Sequence, residues 1–123
     1  MVNLKRFIAS FKNAFKGLKQ AFCYEQSFQI QLVTAIIVLF LSFYFGLKVW
    51  EKVSLILVIS SVLVLELINA IFERLSDILK PRIHPYIKEI KDILAGTVLI
   101  ASLAAVVIGL LIFWPYINKL LGN

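Results

Sequence analysis

The sequence predicts an all-α integral membrane protein: an N-terminal amphipathic surface helix followed by three transmembrane helices. Three observations carry that expectation. The chain is 61% hydrophobic and only 16% charged over 123 residues, with a mean hydropathy of +0.93. A soluble domain of that length cannot hide so much apolar surface. Three apolar stretches each approach the ~20 residues needed to cross a bilayer. The basic residues, which give a net charge of +6, are gathered into particular polar segments instead of being spread along the chain.

The surface helix is expected over residues 3–24. Leu4, Phe7, Ile8, Phe11, Phe15, Leu18 and Phe22 recur at spacings of three and four and so share one stripe. Lys5, Lys12, Lys16 and Lys19 flank that stripe, where their stems can reach toward headgroups. Arg6, Asn13 and Gln20 lie opposite the phenylalanines. Such a helix rests in the membrane interface. The alternation of basic and aromatic residues leaves no continuous apolar core, so this segment does not read as a cleaved signal peptide.

The spans are expected at about 28–47, 53–72 and 93–114, making one membrane domain of the whole chain. "GLKVWEK" reads as a short turn and "KPRIHPYIKEIKD" as a polar connection, with Pro81 and Pro85 interrupting helix. Pro115 is expected to end the third span, and Trp50, Trp114 and Tyr116 suit the interface. Lys and Arg number five in the N-terminal segment, two in the first loop, five in the second and one in the tail. The positive-inside rule therefore puts the N-terminus and the second loop in the cytoplasm, in a multi-pass arrangement. Ala101, Ala105 and Gly109 recur every four residues, a spacing that lets helices approach closely, either within the chain or between copies.

Cys23 is the single cysteine, which rules out an internal disulfide, and neither CxxC nor a Cys/His cluster suggests zinc. No feature points to nucleic acid. The stretch that asks for chemistry is "ELINAIFERLSD". Relative to Glu66, a helix places Asn69 at about 300°, Glu73 at about 340° and Asp77 at about 20°. The four polar groups thus form one stripe descending from within the membrane to its edge. An ionisable group inside a bilayer is costly, and it normally faces protein and serves a function. Glu25 lies just before the first span, and Lys91 and Asp92 just before the third, on that same side. Carboxylates in this number suggest a divalent cation such as Mg²⁺, and a nearby lysine suits phosphate. Together they suggest phosphoryl transfer. No Walker A, kinase-type Gly-rich loop or HRD motif is present, which excludes a soluble-kinase fold. On the residues alone, a small proton-coupled exporter and a non-catalytic regulatory peptide stay open.

"ELINAIFERLSD" followed by "RIHPYIKEIKDILAGTVLIAS" resembles the signature of the small prokaryotic diacylglycerol kinase family, which includes the undecaprenol kinases of Gram-positive bacteria. The resemblance runs from "FKGLKQAFCYEQSF" to the third span. It implies a lipid kinase that works as a homotrimer, with sites shared between neighbouring subunits. By that resemblance Glu66 matches the catalytic base that takes the proton from the lipid hydroxyl. Glu25 and Glu73 match the carboxylates that hold the divalent metal with ATP, and Asn69 and Asp77 match residues lining the site. Lys91 and Asp92 match a nucleotide-contacting pair, and Arg82, Ile83 and His84 a nucleotide-contacting loop. Arg6 and Asn13 fall at N-terminal positions where the family also touches nucleotide. The implied reaction is diacylglycerol to phosphatidic acid, with undecaprenol to undecaprenyl phosphate as the alternative. Two departures bear on the substrate. "ELINAIFE" replaces the more usual "ELINTAIE", and Gln31 stands where one branch of the family carries Glu and the polyprenol branch often His.

Overall fold

The computed structural model describes residues 1–122, apart from the side chains of residues 80–84. Its backbone is helical almost throughout: α1 spans Leu4–Tyr24, α2 spans Gln26–Tyr44 and α3 spans Val49–Leu120.

Local chemistry accounts for each boundary. Asn3 caps α1, its side-chain oxygen accepting from the backbone N–H of Lys5 at 3.1 Å and of Arg6 at 3.4 Å. Glu25 is extended, with φ −109° and ψ 104°, and it is both the last cap of α1 and the first of α2. One non-helical residue is thus the corner between the two helices. α2 ends at a Schellman turn. Gly46 adopts φ 62°, the Gly46 N–H donates to the Phe43 carbonyl, and the Leu47 N–H donates to the Ser42 carbonyl. The left-handed position is what calls for glycine there. Leu47 is buried beneath the turn, as the hydrophobic partner of that motif usually is.

α3 has 72 residues. Drawn straight it would be roughly 108 Å long. Yet its two ends meet, because the Tyr116 hydroxyl donates to Glu51 and Leu55 packs with Ile112 and Phe113. The helix is therefore two antiparallel arms, Val49–Leu79 and Pro85–Leu120, joined through residues 80–84. With α2 they form a three-helix layer. Its hydrophobic cluster lies at the end away from α1, where the Phe45 ring meets Phe113 edge-on at 6.0 Å and Tyr116 at a tilt at 6.2 Å.

Three segments are long and apolar enough to cross a membrane: Gln26–Tyr44, Val49–Leu79 and Pro85–Leu120. Most of their large apolar side chains face outward, among them Ile36, Phe40, Leu57, Ile71, Leu103 and Leu111. In water that surface would be unsustainable; in lipid it is ordinary.

Three expectations about the boundaries are corrected. Helix runs across "YIKEIKD", which the charge and proline content assigned to a polar connection. Pro115 does not end the third span either, since helix continues to Leu120. Only the Leu111 carbonyl loses its donor there, and the adjacent Tyr116 is tied to Glu51. The helix that carries the second apolar stretch begins at Val49, ahead of that stretch's expected start at 53.

Candidate active site

Depth along the arms sorts the polar residues. Trp50 marks the interface at the end away from α1. At 1.5 Å per residue, a ~30 Å hydrocarbon layer measured from it ends near residue 70. Glu66 lies inside that margin, Asn69 at it, and Glu73 and Asp77 beyond it. Counting back the same way from Trp114, the layer ends near residue 94, so Lys91 and Asp92 fall just outside. Glu25, at the head of α2, sits at the same end. The register set by Glu51–Tyr116 and Leu55–Phe113 also brings Lys91 level with Asp77.

Glu66 is buried, only 7% exposed. Its carboxylate receives a hydrogen bond from the Gln31 side chain of α2 and feels the charges of Glu73 and Glu25. Glu66 thus has two further carboxylates within electrostatic range, Glu25 at the α1–α2 corner and Glu73 two turns along its own helix. Glu73 is exposed and accepts from the Asn69 amide at 3.5 Å, one helical turn away. Glu25 forms an ion pair with Arg74 at 3.5 Å. Arg74 lies on the first arm, so this pair fastens the α1–α2 corner to the helix that bears Glu66.

Among the described residues, no group of three or more His, Cys, Asp or Glu side chains is close enough to hold a metal ion. Two carboxylates near a water-exposed edge nonetheless suit Mg²⁺, which is usually held by one or two carboxylates together with substrate phosphates.

The remaining sequence candidates are more scattered. Asp77 and Asp92 are exposed, and Lys91 is half-buried. Arg6 and Asn13 are exposed on α1. The side chains of Arg82, Ile83 and His84 lie outside the described residues. Two contacts were not anticipated. Arg74 read only as one more loop cation, and Gln31 as a position that differs between branches of a family; neither spacing signals a partner on another helix.

The comparisons with known proteins converge on one family. The model of the family described as prokaryotic diacylglycerol kinase matches residues 12–113. The chain belongs to that family. It is a prokaryotic membrane lipid kinase of the multi-pass kind, and the exporter and non-catalytic readings are set aside. The family match covers both ends of the carboxylate cluster, from Glu25 through Glu66 and Glu73 to Asp92. An undecaprenol kinase of Bacillus subtilis (strain 168) is 35% identical over 112 residues, 91% of each chain. A diacylglycerol kinase of Synechocystis sp. (strain ATCC 27184 / PCC 6803 / Kazusa) is 30% identical over 115 residues, 93% of this chain and 66% of that protein.

Proposed function

We propose that this diacylglycerol kinase family member transfers the γ-phosphate of ATP to the hydroxyl of a membrane lipid alcohol, and that the alcohol is undecaprenol. The observation that carries the reading is the buried Glu66 carboxylate just inside the apolar layer, with Glu73 and Glu25 beside it toward water. A hydroxyl anchored by its own apolar tail can reach Glu66 from the lipid side. A nucleotide can reach the two outer carboxylates from the aqueous side.

Glu66 acts as general base. As the lipid oxygen bonds to the γ-phosphorus, its O–H bond breaks and the proton passes to the Glu66 carboxylate, while the bond from phosphorus to the bridging oxygen breaks and ADP leaves. A carboxylate in a poorly hydrated site is a better base than one in water. Gln31 holds one carboxylate oxygen, which leaves the other for the substrate. Glu25 and Glu73 would hold Mg²⁺, which when bound neutralises charge on the transferring phosphate. Arg74 orients Glu25, and Asn69 orients Glu73. Most of the remaining effect is positioning, since transfer between an interfacial hydroxyl and a soluble nucleotide needs both on one line.

Asp77, Lys91 and Asp92 stand at the aqueous side of this cluster and are proposed to meet the nucleotide, as are Arg6, Asn13 and the 82–84 segment. The basic residues of α1 and of the segment joining the arms support a cytoplasmic position for that side, where ATP is available. α1 is proposed to lie in the interface on its phenylalanine face. The sparse core supports association of copies, and a homotrimer is the proposed assembly.

Undecaprenol is preferred because the relative that matches 91% of both chains is named for it. Diacylglycerol is the second reading, favoured by the family description and the Synechocystis relative. Purified protein in detergent with Mg²⁺, labelled ATP and either lipid tests both. Label in undecaprenyl phosphate is expected; label only in phosphatidic acid would select the second reading, and label in neither would refute the kinase assignment.

A further inference from the structure

Arg74 lies on the first arm of α3, two helical turns beyond Glu66, roughly 12 Å along the axis at the helical rise. The Cα–Cβ bonds of a helix tilt toward its N-terminus, so this side chain leans back toward Glu66 and the membrane. Its guanidinium reaches the head of α2, where Nη2 meets Glu25 Oε1 at 3.5 Å. Glu25 is in turn within electrostatic range of Glu66. We propose that Arg74 is a further catalytic residue, whose guanidinium donates to the γ-phosphate of the nucleotide while it stays paired with Glu25. The proposal rests on the phosphotransfer reading above.

The contact with Glu25 is one-pronged. A guanidinium carries five N–H donors in a planar fork that matches a phosphate. Among the described residues, no other ion pair or side-chain hydrogen bond takes the remaining donors. Half of the Arg74 side chain is exposed, against a fifth of Glu25's, so donors stay open on the aqueous side from which a nucleotide comes. An ion pair this exposed adds little to stability, and fastening alone is a weak reason for it. Charge supplies a stronger one. A nucleotide whose γ-phosphate reaches a hydroxyl at Glu66 brings its own negative charge up to Glu25, Glu66 and Glu73. A divalent ion offsets only part of that charge, and the transferring phosphoryl spreads its share over the outer oxygens. Arg74 is a cation already touching one of these carboxylates. Lys91, level with Asp77, stands about a turn farther from Glu66. Arg74 makes and breaks no covalent bond. It holds outer phosphate oxygens while the bond to the bridging oxygen breaks, where a fixed donor stabilises transfer.

Nucleotide affinity separates this role from a fastening one. Displacement of a fluorescent nucleotide from the whole protein, in detergent with Mg²⁺, gives Kd for ATP and for ADP, which differ by the γ-phosphate. Arg74→Gln should raise Kd for ATP about tenfold and for ADP less than about twofold, and should lower kcat by about a hundredfold. Arg74→Lys should restore part of the ATP preference, because an ammonium still meets phosphate as a point charge. Lys52→Gln is the control. It removes a cation at the far end of the arm, where Nζ sits 4.6 Å from the centre of the Phe43 ring, and should leave both affinities as they were. A residue that only fastens the α1–α2 corner would, when replaced, weaken ATP and ADP alike or weaken neither. Either result in Arg74→Gln would overturn the proposal, as would no recovery in Arg74→Lys or an ATP-specific loss reproduced by Lys52→Gln. Failure of the phosphotransfer reading is a different result, with the unmodified protein transferring label to no lipid alcohol.

Discussion

Two buried carboxylates on the first arm of α3 show how surroundings assign a role. Glu51 is 6% exposed and Glu66 7%. Glu51 accepts from the Lys48 N–H at 2.9 Å and from the Tyr116 hydroxyl, so it caps a helix start and ties it to a helix end. Glu66 has one neutral donor, Gln31, and two like charges nearby. A carboxylate left so thinly satisfied at the edge of lipid is suited to accepting a proton. Gln31→Leu should therefore lower kcat by about tenfold, with KM for ATP little changed, because it frees Glu66 without touching the nucleotide; equal loss in both would point to collapse of the site. Glu73→Ala should move the Mg²⁺ titration to higher concentration by an order of magnitude. An unmoved titration would remove Glu73 from the metal-holding pair. The Glu66–Asn69–Glu73–Asp77 stripe was legible from spacing alone, since helical periodicity is local. The contacts of Arg74 with Glu25 and of Gln31 with Glu66 were not, because each joins residues on different helices and leaves no mark in local spacing.

At the scale of elements, the corner at Glu25 and the meeting of the two α3 ends do most to place the site. The corner turns the chain from α1 into α2 and, through Arg74, holds the cluster's outer edge to the first arm. Glu25→Ala and Arg74→Ala should each weaken that attachment, and protease accessibility of α1 should rise in both. At the other end, Tyr116→Phe removes the donor to Glu51 and should lower the thermal unfolding midpoint in detergent while leaving activity nearly intact, the mark of a clasp remote from the chemistry. Apolar length and charge made the number of crossing segments legible. Their ends were less so: Pro115 looks like a break in a sequence, but the helix continues past it, where the adjacent Tyr116 is tied to Glu51.

For the whole molecule, the described arms are 31 and 36 residues long, well beyond the ~20 a bilayer requires. The excess lies at the end that carries Glu73, Asp77, Lys91 and Asp92. The protein thus presents a helical aqueous platform continuous with its membrane part, and Glu66 sits at the junction. The central claim is that Glu66 removes the proton from a lipid hydroxyl at that junction. A single-turnover experiment tests it most directly, using Glu66→Gln with nucleotide binding and assembly measured on the same sample. Transfer of labelled phosphate to the lipid should fall by about 10² to 10⁴ while ATP binding is retained. Transfer at the unmodified rate would contradict it.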